Sequence, residues 1–245
     1  MERVLIAQNI TREGPGYAKD ILDSYGIGYK IVDPSKRGQG FPPATPFAAV
    51  IVYGGPDSAN DTTPKMRQER SRVKGVLDNQ KPYLGICLGG QVLGKIAGGE
   101  IVVNKINGQP YPEIGFVNHR TDEPYTVELT AEGRKDPLFD GIPNEFRVFH
   151  LHGEAVVPNE ETTKVLGVGA TCRTQVIKVG KNAYGIQSHV ELTEEMLKRW
   201  LKEDPDLAKT SPAKVMETFR EIKEEYQRTC HVLLSNFLRI AQLID

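Results

Sequence analysis

Tyr83-Leu84-Gly85-Ile86-Cys87-Leu88-Gly89-Gly90-Gln91 decides how this chain folds. Tyr83–Ile86 is a short apolar run of the kind buried on both faces of a sheet. Leu88–Ala97 then reads as a helix that Gly98-Gly99 ends. Cys87 falls on the turn between them, with Gly85 and Gly89 supplying the close backbone approach that a Cβ would obstruct. A nucleophile on such a turn is exposed at the C-terminal edge of its strand. The helix points its free N–H groups and the positive end of its dipole at the sulfur, which stabilises negative charge there. The same groups can hold an oxyanion on an attacked carbonyl. An intracellular cysteine is more often a core residue, but a core side chain needs no glycines around it.

Working outward, Val4–Ala7, Tyr29–Val32 and Ala48–Tyr53 read as strands, separated by helical patterns at Tyr17–Ser24 and Pro64–Leu77. Strands alternating with helices of this length predict right-handed βαβ units and a parallel sheet. The fold class is therefore α/β, a doubly wound and largely parallel central sheet flanked by helices. Past the Cys87 helix the pattern changes to short runs: Ile101–Val103, Tyr125–Leu129, Glu145–Leu151, Lys164–Gly167, Gln175–Val179 and Ala183–Gln187. They predict antiparallel or mixed sheet added to the same domain. Beyond Leu192 the chain turns helical. Thr193 and Glu195 mark one start, and Asp204–Pro212 is a break. Val215, Phe219, Ile222, Tyr226, Leu233, Phe237 and Ile240 then form an amphipathic stripe. The expected division is a domain over 1–201 and a helical C-terminal extension over 202–245 packed on it. A homodimer or partner interface is the other use such a stripe could have.

Composition bounds the function classes. A chain of 245 residues with a net charge of −1 carries no field that would draw nucleic acid or an anionic membrane. Three scattered cysteines without a CxxC pair argue against a disulfide framework and a structural zinc site. No run is long enough for a signal peptide or a membrane span, so a cytoplasmic, reducing location is expected. Gly54-Gly55-Pro56 and Gly14-Pro15-Gly16 make neither a dinucleotide fingerprint nor a phosphate loop, and no cofactor is expected.

A thiol nucleophile needs a base, and the base an orienting group. His189-Val190-Glu191 supplies both at two-residue spacing just past a predicted strand, so the two side chains project to one side if the chain stays extended. Alone this pair is a weak signal; beside the Cys87 turn it is the natural second half of a site. His150, His152 and His189 could suggest zinc, yet no carboxylate or cysteine in the sequence clearly completes that set, and no metal is expected. His119, His231, Cys172 and Cys230 read as structural or surface residues.

With these residues in place the chain resembles the class I glutamine amidotransferases, in particular stand-alone relatives of the GMP synthetase amidotransferase domain. The resemblance runs from about Val4 to Leu201. It rests on Tyr53-Gly54-Gly55-Pro56-Asp57, Gly85 to Gln91, Leu151-His152-Gly153-Glu154 and Gly185 to Glu191, in that order. It implies that Cys87 attacks the glutamine side-chain amide to form a γ-glutamyl thioester and release ammonia. His189, oriented by Glu191, would protonate the leaving ammonia and then activate water. It further implies an oxyanion hole from the N–H groups of Gly55 and Leu88, and substrate contacts from Gln91, His152 and Gly153. The family commonly has proline where Val190 stands. No acceptor domain follows Glu191, so the ammonia would go to a separate synthetase subunit. Two other readings stay open: a free-standing hydrolase of γ-glutamyl peptides or amides using the same triad, and a non-enzymatic binding protein that retains the fold.

Overall fold

Strands β1 (Val4–Ala7), β3 (Ala49–Val52) and β4 (Tyr83–Ile86) are buried at every position, and β2 (Tyr29–Val32) lies at their edge. This is the frame of the computed structural model, which describes residues 3–245. Helices α1 (Tyr17–Ser24), α2 (Pro64–Asp78) and α3 (Leu88–Ile96) connect or follow these strands. The rest of the sheet comes from β5 (Thr126–Leu129), β6 (Glu145–Arg147), β7 (Thr163–Val168), β8 (Val176–Val179) and β9 (Ala183–Ile186). The order is β6-β5-β7-β8-β9-β4-β3-β1-β2. From β2 to β9 the strands are parallel; β9, β8, β7, β5 and β6 then pair antiparallel in turn.

Alternation along each central strand feeds two cores. Val4, Ile6, Ala49, Ile51, Leu84 and Ile86 face one layer with α1. Leu5, Ala7, Val50, Val52 and Tyr83 face the other, built from α2 and α3. Each fully buried Val, Leu or Ile contributes about 1.5–3 kcal/mol relative to exposure, which is why such strands carry unbroken apolar runs.

The C-terminal helices α4 (Glu194–Glu203) and α5 (Pro212–Ile240) are capped by Thr193 and Ser211, whose hydroxyls accept from the Met196 and Lys214 N–H groups. The second half of α5 covers the α1 face of the sheet through Cys230, Leu233, Leu234, Phe237 and Leu238. Its first half joins α4 around Trp200 in a third core with Phe116 and Phe149. Phe219, Ile222, Tyr226, Leu233 and Phe237 of the stripe are thus buried within the chain, and a second copy would have to use another surface. Among the described residues no helix is long and apolar enough to cross a membrane.

The run Glu145–Leu151, expected to be one strand, is two. β6 ends at Arg147, and His150–His152 leaves the large sheet to pair antiparallel with Glu113–Gly115. Phe149, between them, bridges to His189 instead. Glu154–Val157 is a further strand without a counterpart in the sequence reading, paired with Glu100–Val103.

The turn carrying Cys87 depends on backbone contact between β4 and α3. A Cβ on Gly85 would lie 2.4 Å from the carbonyl carbon and oxygen of Gly89 and 2.6 Å from the Gly90 nitrogen. Because the obstacle is backbone, Gly85→Ala is expected to destabilise the protein by about 3 kcal/mol, the upper end of overpacking costs. An unchanged urea midpoint would contradict this account of the turn.

Candidate active site

Cys87 has φ 51° and ψ −111°, a left-handed conformation uncommon for a side chain with a Cβ. Such conformations cost about 1–3 kcal/mol and persist where the surroundings impose them. Here the Cys87 N–H donates to the Ile186 carbonyl at 2.7 Å, tying the turn to β9. Gly89 lies so close to β3 that a Cβ would stand 2.3 Å from the Val52 oxygen. The thiol has the Leu151 carbonyl and the Gln187 amide nitrogen each at 3.9 Å.

Past Ile186 the chain bends at Gln187 and Ser188, and His189 is then held by an antiparallel bridge to Phe149. His189 Nδ1 lies 2.7 Å from Glu191 Oε1, and the other Glu191 oxygen accepts from the Val190 N–H at 2.9 Å. Proline, the residue the family commonly has there, could not donate that bond. Burial opposes charge on His189, but the attraction of Glu191 and the hydrogen bond with Cys87 outweigh it, leaving the imidazole pKa well above its usual value. The ring is almost fully buried, with Trp200 packed edge-on at 4.9 Å. Its backbone is gripped from two sides. The His189 N–H donates to Phe149 O at 2.8 Å, and the Tyr226 hydroxyl on α5 donates to His189 O at 2.9 Å.

Cys87, Leu88, Gly55, Gln91, His152 and Gly153 all line one cavity of about 550 Å³. Leu88 opens α3, so its N–H has no partner within the helix. The Gln91 side-chain nitrogen donates to Glu154 O at 2.9 Å and to Gln187 Oε1 at 3.2 Å. That uses both amide hydrogens and leaves its oxygen as the group able to meet a ligand. Gly153 gives its carbonyl to the Asn104 N–H. His152 turns its ring away, with Nδ1 on Glu154 O and Nε2 toward His150 and Glu113. What it can offer the cavity is backbone.

Two carboxylates went unread in the sequence. Glu13 is buried in the cavity wall, where it and His189 both press on Gly54. Burial raises its pKa, and His189 and Arg12 only partly offset this. Neighbouring Arg12 pairs with Asp204 at 2.5 Å, and its carbonyl accepts from Trp200 Nε1 at 2.7 Å. The loop carrying Glu13 has no periodicity that would have marked it. Glu113 comes to His150 and His152 from a three-residue strand and supplies the carboxylate that the sequence had not offered them. His189 is not part of that group. Burial pushes His150 down to about 3, opposed by Glu113. Burial raises Glu113, yet the two histidines outweigh it and hold the carboxyl below its usual range.

A thiol, an imidazole and a carboxylate converge at the C-terminal edge of a parallel sheet, beside a helix N-terminus. The fold and site define an α/β protein whose largely parallel sheet carries a cavity beside the N-terminus of α3. More narrowly, the chain belongs to the class I glutamine amidotransferase family, whose sequence model, described as glutamine amidotransferase class-I, matches residues 21–204. It is 30% identical over 164 residues to the glutamine amidotransferase-like protein YfeJ of Salmonella typhimurium, covering 64% of this chain and 63% of that protein. It is 28% identical over 187 residues to one subunit of the glutamine-hydrolysing GMP synthase of Methanococcus maripaludis, covering 74% of this chain and 86% of that one. Among solved structures, a glutamine amidotransferase from Thermotoga maritima superposes with a TM-score of 0.83 at 24% identity, covering 98% of each chain. A glutamine amidotransferase from Methylobacillus flagellatus gives 0.82 at 22%, covering 98% and 95%. At these identities the structural likenesses establish the fold.

Proposed function

We propose that this protein hydrolyses the side-chain amide of glutamine through a γ-glutamyl thioester on Cys87 and passes the ammonia to a separate synthetase subunit. The observation that carries the reading is that Cys87, which lines the cavity, and His189 both stand against Gly54, with Glu191 bonded to the imidazole at 2.7 Å. The Cys87 sulfur adds to the amide carbon, and the oxyanion meets the N–H groups of Leu88 and Gly55. Each such donor is worth about 100- to 1,000-fold in rate. His189, held protonated by Glu191, gives its proton to the amide nitrogen, and ammonia leaves. Water then attacks the thioester, His189 takes its proton, and glutamate departs with the thiol restored. The Gln91 oxygen and the backbone at His152 and Gly153 hold the amino-acid end of the substrate. Three unpaired, buried cysteines fit a reducing cytoplasm.

The cavity, about 550 Å³, is larger than glutamine fills. That favours a second reading, in which a γ-glutamyl peptide reacts through the same triad and its amine leaving group takes the outer space. The ordered triad argues against a protein that merely binds.

Purified protein incubated with glutamine is expected to release glutamate and ammonia in equal amounts, and a thiol-alkylating glutamine analogue is expected to label the peptide bearing Cys87. Turnover of γ-glutamyl dipeptides without turnover of glutamine would shift the reading to the second substrate class. No turnover of either, with Cys87 unlabelled, would end the enzyme reading.

A further inference from the structure

We propose that Glu113, His150 and His152 bind one divalent transition-metal ion, Zn²⁺ by the chemistry of the donors, which pins the strand beneath the catalytic thiol. Their ligand atoms all lie within 4.8 Å of one another. His152 Nε2 is 3.0 Å from Glu113 Oε2 and 3.1 Å from His150 Nδ1. Zinc bonds of about 2.0–2.2 Å in a tetrahedral array set neighbouring donors roughly 3.3 Å apart, so two of the three separations are already near the required value.

The placement of hydrogens points the same way. His152 Nδ1 is 3.0 Å from Glu154 O, a pure acceptor, so Nδ1 carries a hydrogen. This outer hydrogen bond to a backbone carbonyl is the one metal-bound imidazoles usually make. In a neutral ring Nε2 is then a lone pair, and it faces a buried carboxylate oxygen that makes no hydrogen bond. Two lone pairs at that separation, away from water, repel each other unless a proton or a metal ion lies between them.

Charge adds a third argument. The Glu113 and His152 side chains are each 2% exposed, and the ion-pair contacts of Glu113 among the described residues are with these two histidines. A carboxylate so placed needs a cation or a proton close by. Two imidazoles and one carboxylate are a zinc donor set with a fourth position left for water. The loaded site would hold the His150–His152 strand, whose Leu151 carbonyl faces the Cys87 sulfur. The competing arrangement is an extra proton on His152 Nε2, making a buried imidazolium–carboxylate pair.

The test uses full-length Cys87→Ser protein, because the catalytic thiol would itself capture zinc. After removal of metals, Zn²⁺ is titrated against a chromophoric chelator. The expected result is one equivalent bound, with Tm rising by roughly 5–10 °C when free Zn²⁺ stands at 100 times its dissociation constant. Adding Glu113→Gln or His150→Asn to that protein is expected to abolish both. The zinc-edge absorption spectrum should show two imidazoles among nitrogen and oxygen donors only. No stoichiometric binding, binding that survives either second substitution, or a sulfur donor in the spectrum would overturn the proposal, and the first of these would leave the protonated pair.

Discussion

Cys87→Ala is expected to lower kcat for glutamate release by about 10⁵- to 10⁶-fold, the loss typical when a nucleophile acting within a triad is removed. The residual rate would come from the oxyanion donors and substrate binding alone. A loss under about 100-fold would mean that another group attacks the amide. The backbone allows a sharper version of the experiment. At φ 51° a Cβ is strained, whereas glycine adopts that conformation freely. Cys87→Gly should therefore be as inactive as Cys87→Ala yet about 1 kcal/mol more stable than it in urea. Equal stability of the two variants would mean that the turn stores no strain.

Glu191→Gln is expected to cost about 10³- to 10⁴-fold in kcat, comparable to neutralising the carboxylate of other triads. Both oxygens of Glu191 accept hydrogen bonds, one from His189 and one from the Val190 N–H. An amide has a single acceptor, so either orientation sets its NH₂ against another donor. The variant also has a pH signature. Burial disfavours charge on His189, and Glu191 is the largest influence opposing it. Without that charge the imidazole loses its proton at lower pH, and the alkaline limb of kcat/KM should move to lower pH. Stability follows the same linkage. The folded-state pKa of His189 lies above its unfolded value of about 6.5, so its stabilisation is complete below that pH and fades as pH rises through the folded value. In Glu191→Gln this part of the pH dependence should flatten. An unmoved alkaline limb would assign the essential acid to another group.

How far the sequence reached depended on how local each feature is. β1 and β4 were legible to the residue because strands buried on both faces leave continuous apolar runs. Cys87 was legible because a strained turn needs glycines around it, and His189 with Glu191 because an extended chain sets alternate side chains on one side. Strands of two or three residues, such as Glu113–Gly115, are too short to show a period. Glu13, Trp200 and Tyr226 reach the site through packing between elements distant in the chain, and nothing adjacent to them records it. The stripe on α5 was readable as apolar; that one of its members would hold the backbone of His189 was not.

That last contact bears on how the protein is made. When Cys87, His189 and Glu191 have just emerged from a ribosome, Tyr226 and the helix bearing it have not yet emerged. The carbonyl of His189 then has no hydroxyl to hold it, and Trp200 does not yet back its ring. On the proposed chemistry, turnover of glutamine by a nascent chain is therefore expected to begin only once that helix has docked.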